Sequence, residues 1–461
     1  MIKGISSSKI FETTNVSTFF RQKNFIKSVL ITLLINILLF PKILNKIKDS
    51  LLFSFYKSND EPIKVAFYCY CMRYGGLERA TSILLNYFSK EKYFTFYLIT
   101  ILGILNDEYE IPKNIERISL YNQKNKLFEI IDKNHIDILI YNSANKEEIE
   151  KLNKLNKTKV IYCIHSSYFY SIYNYHIYNF EQSLYNSYKN CKYVVSLITL
   201  ENDYLFKIWG INSVLIENPS TFEYEFVIPS DLSQKNIIMI GRGDFLPKRF
   251  DFGIKAMKSI VKEFSECKMI ILSPFCENLK NIITNLNLEN NVKIIGFHKN
   301  PEPYLRNSSL NIFPSLIEAF PMALGEVKIF GIPSILCGLD YITLAKGGTV
   351  IIYDDNPDTI AKEAIKILRD DIYRKKLGKE ARTSMEKINN KLIIKKWVKL
   401  LINVYNGIEK SSYANLFTDN YERITKKEVD IILNNQLNLL KKRVPFLSKV
   451  TLKNLKSYTL I

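Results

Sequence analysis

The sequence has no cysteine pair at metal-ligand spacing, no uncharged run long enough to span a bilayer, and no signature of a nucleic-acid-binding module. Its seven cysteines are an odd number, scattered as Cys69, Cys71, Cys163, Cys191, Cys267, Cys276 and Cys337, and several fall in strand-like runs. That usage suits buried thiols in a reducing compartment rather than a disulfide framework. Cys69 and Cys71 are the one close pair, and alternation places both on one face of a strand, where core packing outweighs metal binding. The uncharged run from Ser28 to Pro41 is about fourteen residues, short of the roughly 18–20 that a spanning helix needs. No A-x-A-like site follows Phe40, so a removable secretory signal is not expected. With RRM, KH and helix-turn-helix signatures missing, the net charge of +18 does not read as nucleic-acid binding.

What is present is basic and apolar residues mixed at the two ends. Residues 1–60 carry a net +6 and residues 431–461 another +6, so two thirds of the excess charge is terminal. Both regions interleave the cations with Leu, Ile and Phe, as in VLITLLINILLFPKILNKIK and LLKKRVPFLSKVTLKNLK. Such mixtures suit an anionic membrane surface, with residues 25–44 lying in the interface or re-entering it. Packing of that segment as a core helix stays open as the alternative.

At 461 residues and 47% hydrophobic composition, the chain is long enough for two or three cores. From residue 60 onward, nearly continuous apolar runs recur: KVAFYCY (64–70), FTFYLITIL (94–102), IDILIYN (136–142), KVIYCIH (159–165), KYVVSL (192–197) and VLIENP (214–219). Strands buried on both faces look like this, and they imply a parallel sheet covered by helices. After an irregular stretch containing Pro229 the rhythm restarts with NIIMIG (236–241), KMIILS (268–273), VKIIGF (292–297), LNIFPS (310–315), PSILC (333–337) and TVIIY (349–353). The expected fold is α/β: two doubly wound, Rossmann-like domains facing across a cleft, at 61–228 and 229–390. A terminal segment precedes them at 1–60, and helices with a basic tail follow at 391–461.

Ligands of such sheets bind beyond the carboxyl ends of the strands. That rule selects Gly75, Gly76 and His165 in the first series. In the second it selects Gly241 to Gly243, Ser273 and Ser315 to Glu318. The stretch SLIEAFPMALGEVKIFGIP (315–333) is the most informative. Pro321 suits a first helical turn and Gly331 a C′ position, so a helix is expected over about 321–330. Its free N–H groups, from about Phe320 to Leu324, form an anion site. Glu318 precedes that end and Glu326 lies one to two turns inside. If the interval were all helical the carboxylates would stand about 12 Å apart. A hydrolase pair flanking one glycosidic bond stands roughly 5–9.5 Å apart. A capping Glu318 with a solvated Glu326 is the bland alternative, but idle carboxylates among Ile317, Ala319, Phe320, Met322 and Ala323 would be costly.

The E-x7-E followed by G-I-P resembles the donor-site signature of retaining GT-B glycosyltransferases of the GT4 type. RYGGLERATSILLNYF (73–88) resembles that family's glycine loop and helix, and VIYCIH (160–165) its strand ending in histidine. IGRGDFLPKRFD resembles its basic loop, and the likeness extends over about residues 64–405. The resemblance implies that Arg242 and Lys248 hold a nucleotide diphosphate and stabilise its leaving charge. It implies that Glu326 accepts the ribose hydroxyls and that Glu318 contacts the transferred sugar. Backbone N–H groups at Phe320, Pro321's neighbour Met322 and Ala323 would meet the sugar or β-phosphate. His165 would face the sugar from across the cleft or serve only the fold. Gly75 and Gly76 would admit close approach of phosphate or acceptor, or merely turn the chain.

The implied reaction is metal-independent, with no cofactor beyond a UDP- or GDP-linked sugar as co-substrate. YDDN at 353–356 lacks the D-x-D form that metal-dependent glycosyltransferases carry. The acceptor would be a glycan or lipid-linked saccharide, and the location the cytoplasmic face of the cell membrane, held peripherally. A non-catalytic membrane scaffold of GT-B fold is the rival reading; it explains the basic ends but not Glu318, Glu326, Arg242 and Lys248 together. Gly325 departs from the family's larger apolar residue, marking either a close backbone contact or a looser helix. The segment HSSYFYSIYNYHIYNF (165–180) is either helix core or a surface for sugars or lipid.

Overall fold

The computed structural model describes residues 61–444 except 124–125, 168, 171–183, 244–245, 355 and 409–423, together with Leu447. The expected membrane-associating segment at 1–60 lies outside the described residues. So do most of the Tyr- and Phe-rich stretch and the end of the basic tail.

Two wholly parallel sheets form. The first contains β1 (Ile63–Cys69), β2 (Phe94–Thr100), β3 (Glu116–Ser119), β4 (Ile138–Tyr141), β5 (Lys159–Ile164), β6 (Tyr193–Ser196) and β7 (Val214–Leu215), in the order β3-β2-β1-β4-β5-β6-β7. The second contains β8 (Asn236–Ile240), β9 (Lys268–Leu272), β10 (Val292–Ile294), β11 (Leu310–Phe313), β12 (Ser334–Cys337) and β13 (Thr349–Ile352), in the order β10-β9-β8-β11-β12-β13. Each order reverses once, between β1 and β4 and between β8 and β11, which is the doubly wound arrangement. The continuous apolar runs are explained by burial: every residue of β4, β6, β11 and β12 is buried. Helices cover the faces with apolar stripes; helix Phe250–Glu263 buries Phe250, Ile254, Met257 and Ile260 against the second sheet.

Four local expectations change. β3, with sequence ERIS, is an additional edge strand whose ends, Glu116 and Ser119, are exposed, so it carries no apolar run to find. β7 covers only two residues of the 214–219 run, and β10 stops before Gly296, whose φ of +91° ends the extended backbone. Cys71 does not share a strand face with Cys69: β1 ends at Cys69, and Cys71 lies in the following loop, part-exposed.

Helix Asn390–Tyr405 returns to the first domain. Asn390 exchanges hydrogen bonds with the Ser220 backbone, Lys396 pairs with Glu217 at 2.9 Å, and Lys159 Nζ donates to the Tyr405 carbonyl at 2.7 Å. Helix Lys426–Arg443, started by a Thr425–Glu428 capping box, buries Val429, Leu433, Leu437 and Leu440. Gln436 bonds Asp340, and Arg443 donates to the Cys337 carbonyl at 3.0 Å. The first part of the run expected at a lipid surface, Leu440 and Arg443 included, is therefore docked on the protein.

Helix Met322–Ile329 runs unbroken through Gly325, with Gly331 at φ +70° closing it. A Cβ on Gly325 would lie 3.5 Å from Met385 Cε and 3.7 Å from Leu344 Cδ1, ordinary contact distances. No close backbone approach therefore demands glycine there. Gly325→Ala is expected to raise stability by about 1 kcal/mol through helix propensity and a less flexible unfolded chain. Urea unfolding checks this; destabilisation would show that the site is already filled.

Candidate active site

The loops after β1, β5, β8, β9 and β11 converge on one cleft of about 570 Å³. Its lining includes Gly75, Gly76 and His165 from the first domain, and Arg242, Lys248, Glu318 and Glu326 from the second. Phe320, Pro321, Met322 and Ala323, at the start of helix Met322–Ile329, line it as well. Residues scattered over a 250-residue interval are thus neighbours. Pro321 is the N-cap rather than a first-turn residue, with ψ at 104°, so the helix opens at Met322. Among the described residues, no group of three or more His, Cys, Asp or Glu is placed to hold a metal ion.

Lys248 and Glu318 are bonded to one another. Lys248 Nζ donates to Glu318 Oε1 at 2.5 Å, with the two side chains 20% and 10% exposed. An ammonium carries three donors, so this bond leaves two for another anion. Glu318 is held from behind: Tyr341 Oη donates to its carbonyl at 2.8 Å and accepts from its N–H at 3.1 Å. Glu326, only 2% exposed, is engaged through Oε1 by Arg79 Nε at 2.9 Å and Thr221 Oγ1 at 2.6 Å. Such pairing is what a buried carboxylate requires.

Gly75 and Gly76 line the cleft, and each has a close protein neighbour in the direction a Cβ would take. A Cβ on Gly75 would fall 1.8 Å from Glu78 Oε2, and one on Gly76 3.2 Å from Met322 Cγ. Gly75 makes room for the Glu78 carboxylate, which bonds its own backbone N–H at the start of helix Gly76–Phe88. Burial pushes the Glu78 carboxyl up, while that bond and the Arg242 charge pull it down. Gly76 lets the first domain meet the Met322 helix closely. In the basic loop, Ser273 Oγ accepts from the Gly243 N–H at 2.8 Å and donates to the Phe275 carbonyl, which ties the β8 and β9 loops together.

His165 Nε2 lies 2.9 Å from Asn142 Oδ1. Asn142 Nδ2 is turned toward Cys69 Sγ, so the amide oxygen faces the ring and Nε2 carries the proton. Nδ1 is then a bare acceptor, shut off from solvent and without a partner among the described residues. Burial pushes the imidazole down to about 4. Sequence reasoning missed Arg79, Thr221, Asn142 and Tyr341. Arg79 carried a signal through its place in the GGLER stretch and Asn142 through its place at the carboxyl end of the IDILIYN run, whereas Thr221 and Tyr341 carried none.

Residues 220–384, which include Arg242, Lys248, Glu318 and Glu326, match the family of glycosyl transferases group 1. Among solved structures, the sucrose-phosphate synthase of Thermosynechococcus elongatus superposes with a TM-score of 0.63 at 14% identity, covering 75% of this chain and 100% of that one. HepE of Anabaena, solved in complex with UDP and glucose, gives 0.59 at 15% identity, covering 74% of this chain and all of the other. The fold is therefore GT-B, and the resemblance to group 1 glycosyltransferases holds for the second domain. The poly(glycerol-phosphate) alpha-glucosyltransferase of Bacillus subtilis is 26% identical over 233 residues, 46% of this chain. The chain spans about a third of that relative's length, 32%.

The His165 environment sets a pH dependence. Between the folded value of about 4 and the ordinary value near 6.5, the unfolded chain binds a proton that the folded chain does not. Stability should therefore fall as pH drops through this window. Denaturant titrations at several pH values should show a steeper loss for the wild type than for His165→Gln. Parallel curves would mean that the ring titrates normally.

Proposed function

We propose that the protein is a retaining, metal-independent glycosyltransferase. It moves a sugar from a UDP- or GDP-linked donor to a glycan or lipid-linked acceptor at the inner face of the cell membrane, in the synthesis of cell-surface polysaccharide or glycolipid. The observation that carries this reading is the convergence of Arg242, Lys248, Glu318, Glu326 and the start of helix Met322–Ile329 on one cleft.

Arg242 and Lys248 supply positive charge where a leaving diphosphate develops negative charge, with the helix N–H groups as further donors. Glu326 accepts from the ribose. Glu318, adjoining the helix start, takes the sugar hydroxyls and stabilises positive charge at the anomeric carbon. The bond from that carbon to the phosphate oxygen breaks as the acceptor oxygen bonds from the same face. The acceptor proton passes to the departing phosphate oxygen, so no enzyme nucleophile is needed. Attachment to the membrane is assigned to the basic, apolar residues 1–60 and to the tail beyond Arg443.

Glu318→Gln should abolish transfer while leaving nucleoside diphosphate binding nearly intact, whereas Glu326→Ala should weaken that binding. Calorimetry with UDP and GDP, beside a transfer assay in EDTA in which the wild type stays active, checks the assignment. Wild-type transfer by both variants would refute it. Deleting residues 1–57 should release most of the protein from anionic vesicles while sparing activity on a soluble acceptor. High salt should weaken wild-type attachment without abolishing it, because screening removes only the charge contribution. Carbonate-resistant, salt-independent retention would instead indicate a spanning segment.

A further inference from the structure

Arg79 crosses the cleft. It stands on helix Gly76–Phe88 of the first domain, yet its Nε bonds Glu326 at 2.9 Å and its Nη2 donates to the Lys299 carbonyl at 3.1 Å, both in the second domain. Its guanidinium also lies over the Tyr109 ring, 5.5 Å from the centroid. Gly76, one turn earlier on the same helix, meets Met322, one turn before Glu326. The two helices therefore touch along a single turn.

We propose that Arg79 is a positioning residue for the donor ribose, acting through Glu326; this rests on the reading of the cleft as a nucleotide-sugar site. A carboxylate has about four acceptor positions. Arg79 and Thr221 both occupy Oε1, and no described group bonds Oε2. The acceptor capacity left to a vicinal diol is therefore concentrated on one oxygen. A carboxylate torsion is otherwise broad, and fixing it beforehand removes an ordering cost from ligand binding. Because the fixing group belongs to the opposite domain, the ribose site is complete only in this interdomain register. The contrary role, a plug that ribose must displace, is disfavoured by the other anchors of Arg79. Lys299 and Tyr109 hold the guanidinium in place independently of Glu326.

The test is calorimetric titration of the full chain with UDP, GDP and their 2′,3′-dideoxy analogues. The wild type should bind one diphosphate and lose affinity when the ribose hydroxyls are removed. Arg79→Gln should weaken the ribose-containing ligand by about tenfold or more, the scale of a charge-assisted hydrogen bond, and barely affect the dideoxy analogue. Arg79→Lys, which keeps the charge and serves if the glutamine variant does not fold, should show the same selective loss to a smaller degree. Equal loss for both ligands would mean that Arg79 only holds the domains together, and tighter binding would make it a plug; either overturns the proposal. A wild type indifferent to the ribose hydroxyls overturns it alone, whereas a wild type that binds neither diphosphate removes the nucleotide-sugar reading with it.

Discussion

Helix Met322–Ile329 is buried on nearly every side and yet carries an acid and a base, Glu326 and Lys328. Buried charges must find partners, and each partner here comes from a different part of the chain. Glu326 draws Arg79 from the helix after β1 and Thr221 from the linker between the two sheets, residues 216–235. Lys328, fully buried, donates to the carbonyls of Leu344 and Lys346, and burial pushes its amine down to about 7. Arg382 satisfies the Ile329 carbonyl at 2.7 Å and reaches the Tyr224 and Val227 carbonyls of the linker. Satisfying one short helix thus fixes the linker, the segment after β12, and the contact between the domains.

The same logic shapes the cleft. Lys248 and Glu318, assigned to opposite ends of a donor, are bonded to one another across the site. A diphosphate brings more negative charge than one carboxylate and competes for the same ammonium. Tyr341 holds the Glu318 backbone in place beside this pair. The pair also spares the cleft two part-buried, uncompensated charges.

Most of the fold was legible because burial on both faces writes itself into the sequence as unbroken apolar runs, and twelve of the thirteen strands fall in such runs. β3 did not, because an edge strand exposes what it carries. The charged groups of the second domain were legible because they follow strand ends and frame a helix with proline before it and glycine after it. Their partners were not. Arg79 is 247 residues from Glu326 and Tyr341 is 23 from Glu318, and each sits in a segment whose local pattern is complete without it. A residue whose role depends on tertiary contact leaves no periodicity to read.

The aromatic side of the cleft follows the interdomain theme. Tyr74, at φ +66° in the loop before Gly75, sets its ring edge-on to Phe297 at 4.7 Å and to Phe275 at 5.5 Å, both in loops of the second domain. A left-handed conformation at a bulky residue is uncommon, and it persists where surrounding contacts over-determine it. Here those contacts are again interdomain, and Arg73 stacks on the same ring at 4.8 Å. The glycine loop therefore meets the second domain twice: through Tyr74 at the β9 and β10 loops, and through Gly76 and Arg79 at the Met322 helix. Two anchors on either side of Gly75 define an orientation as well as a distance. The loop thus lines the cleft with Gly75 and Gly76 while its flanking residues are held by the second domain.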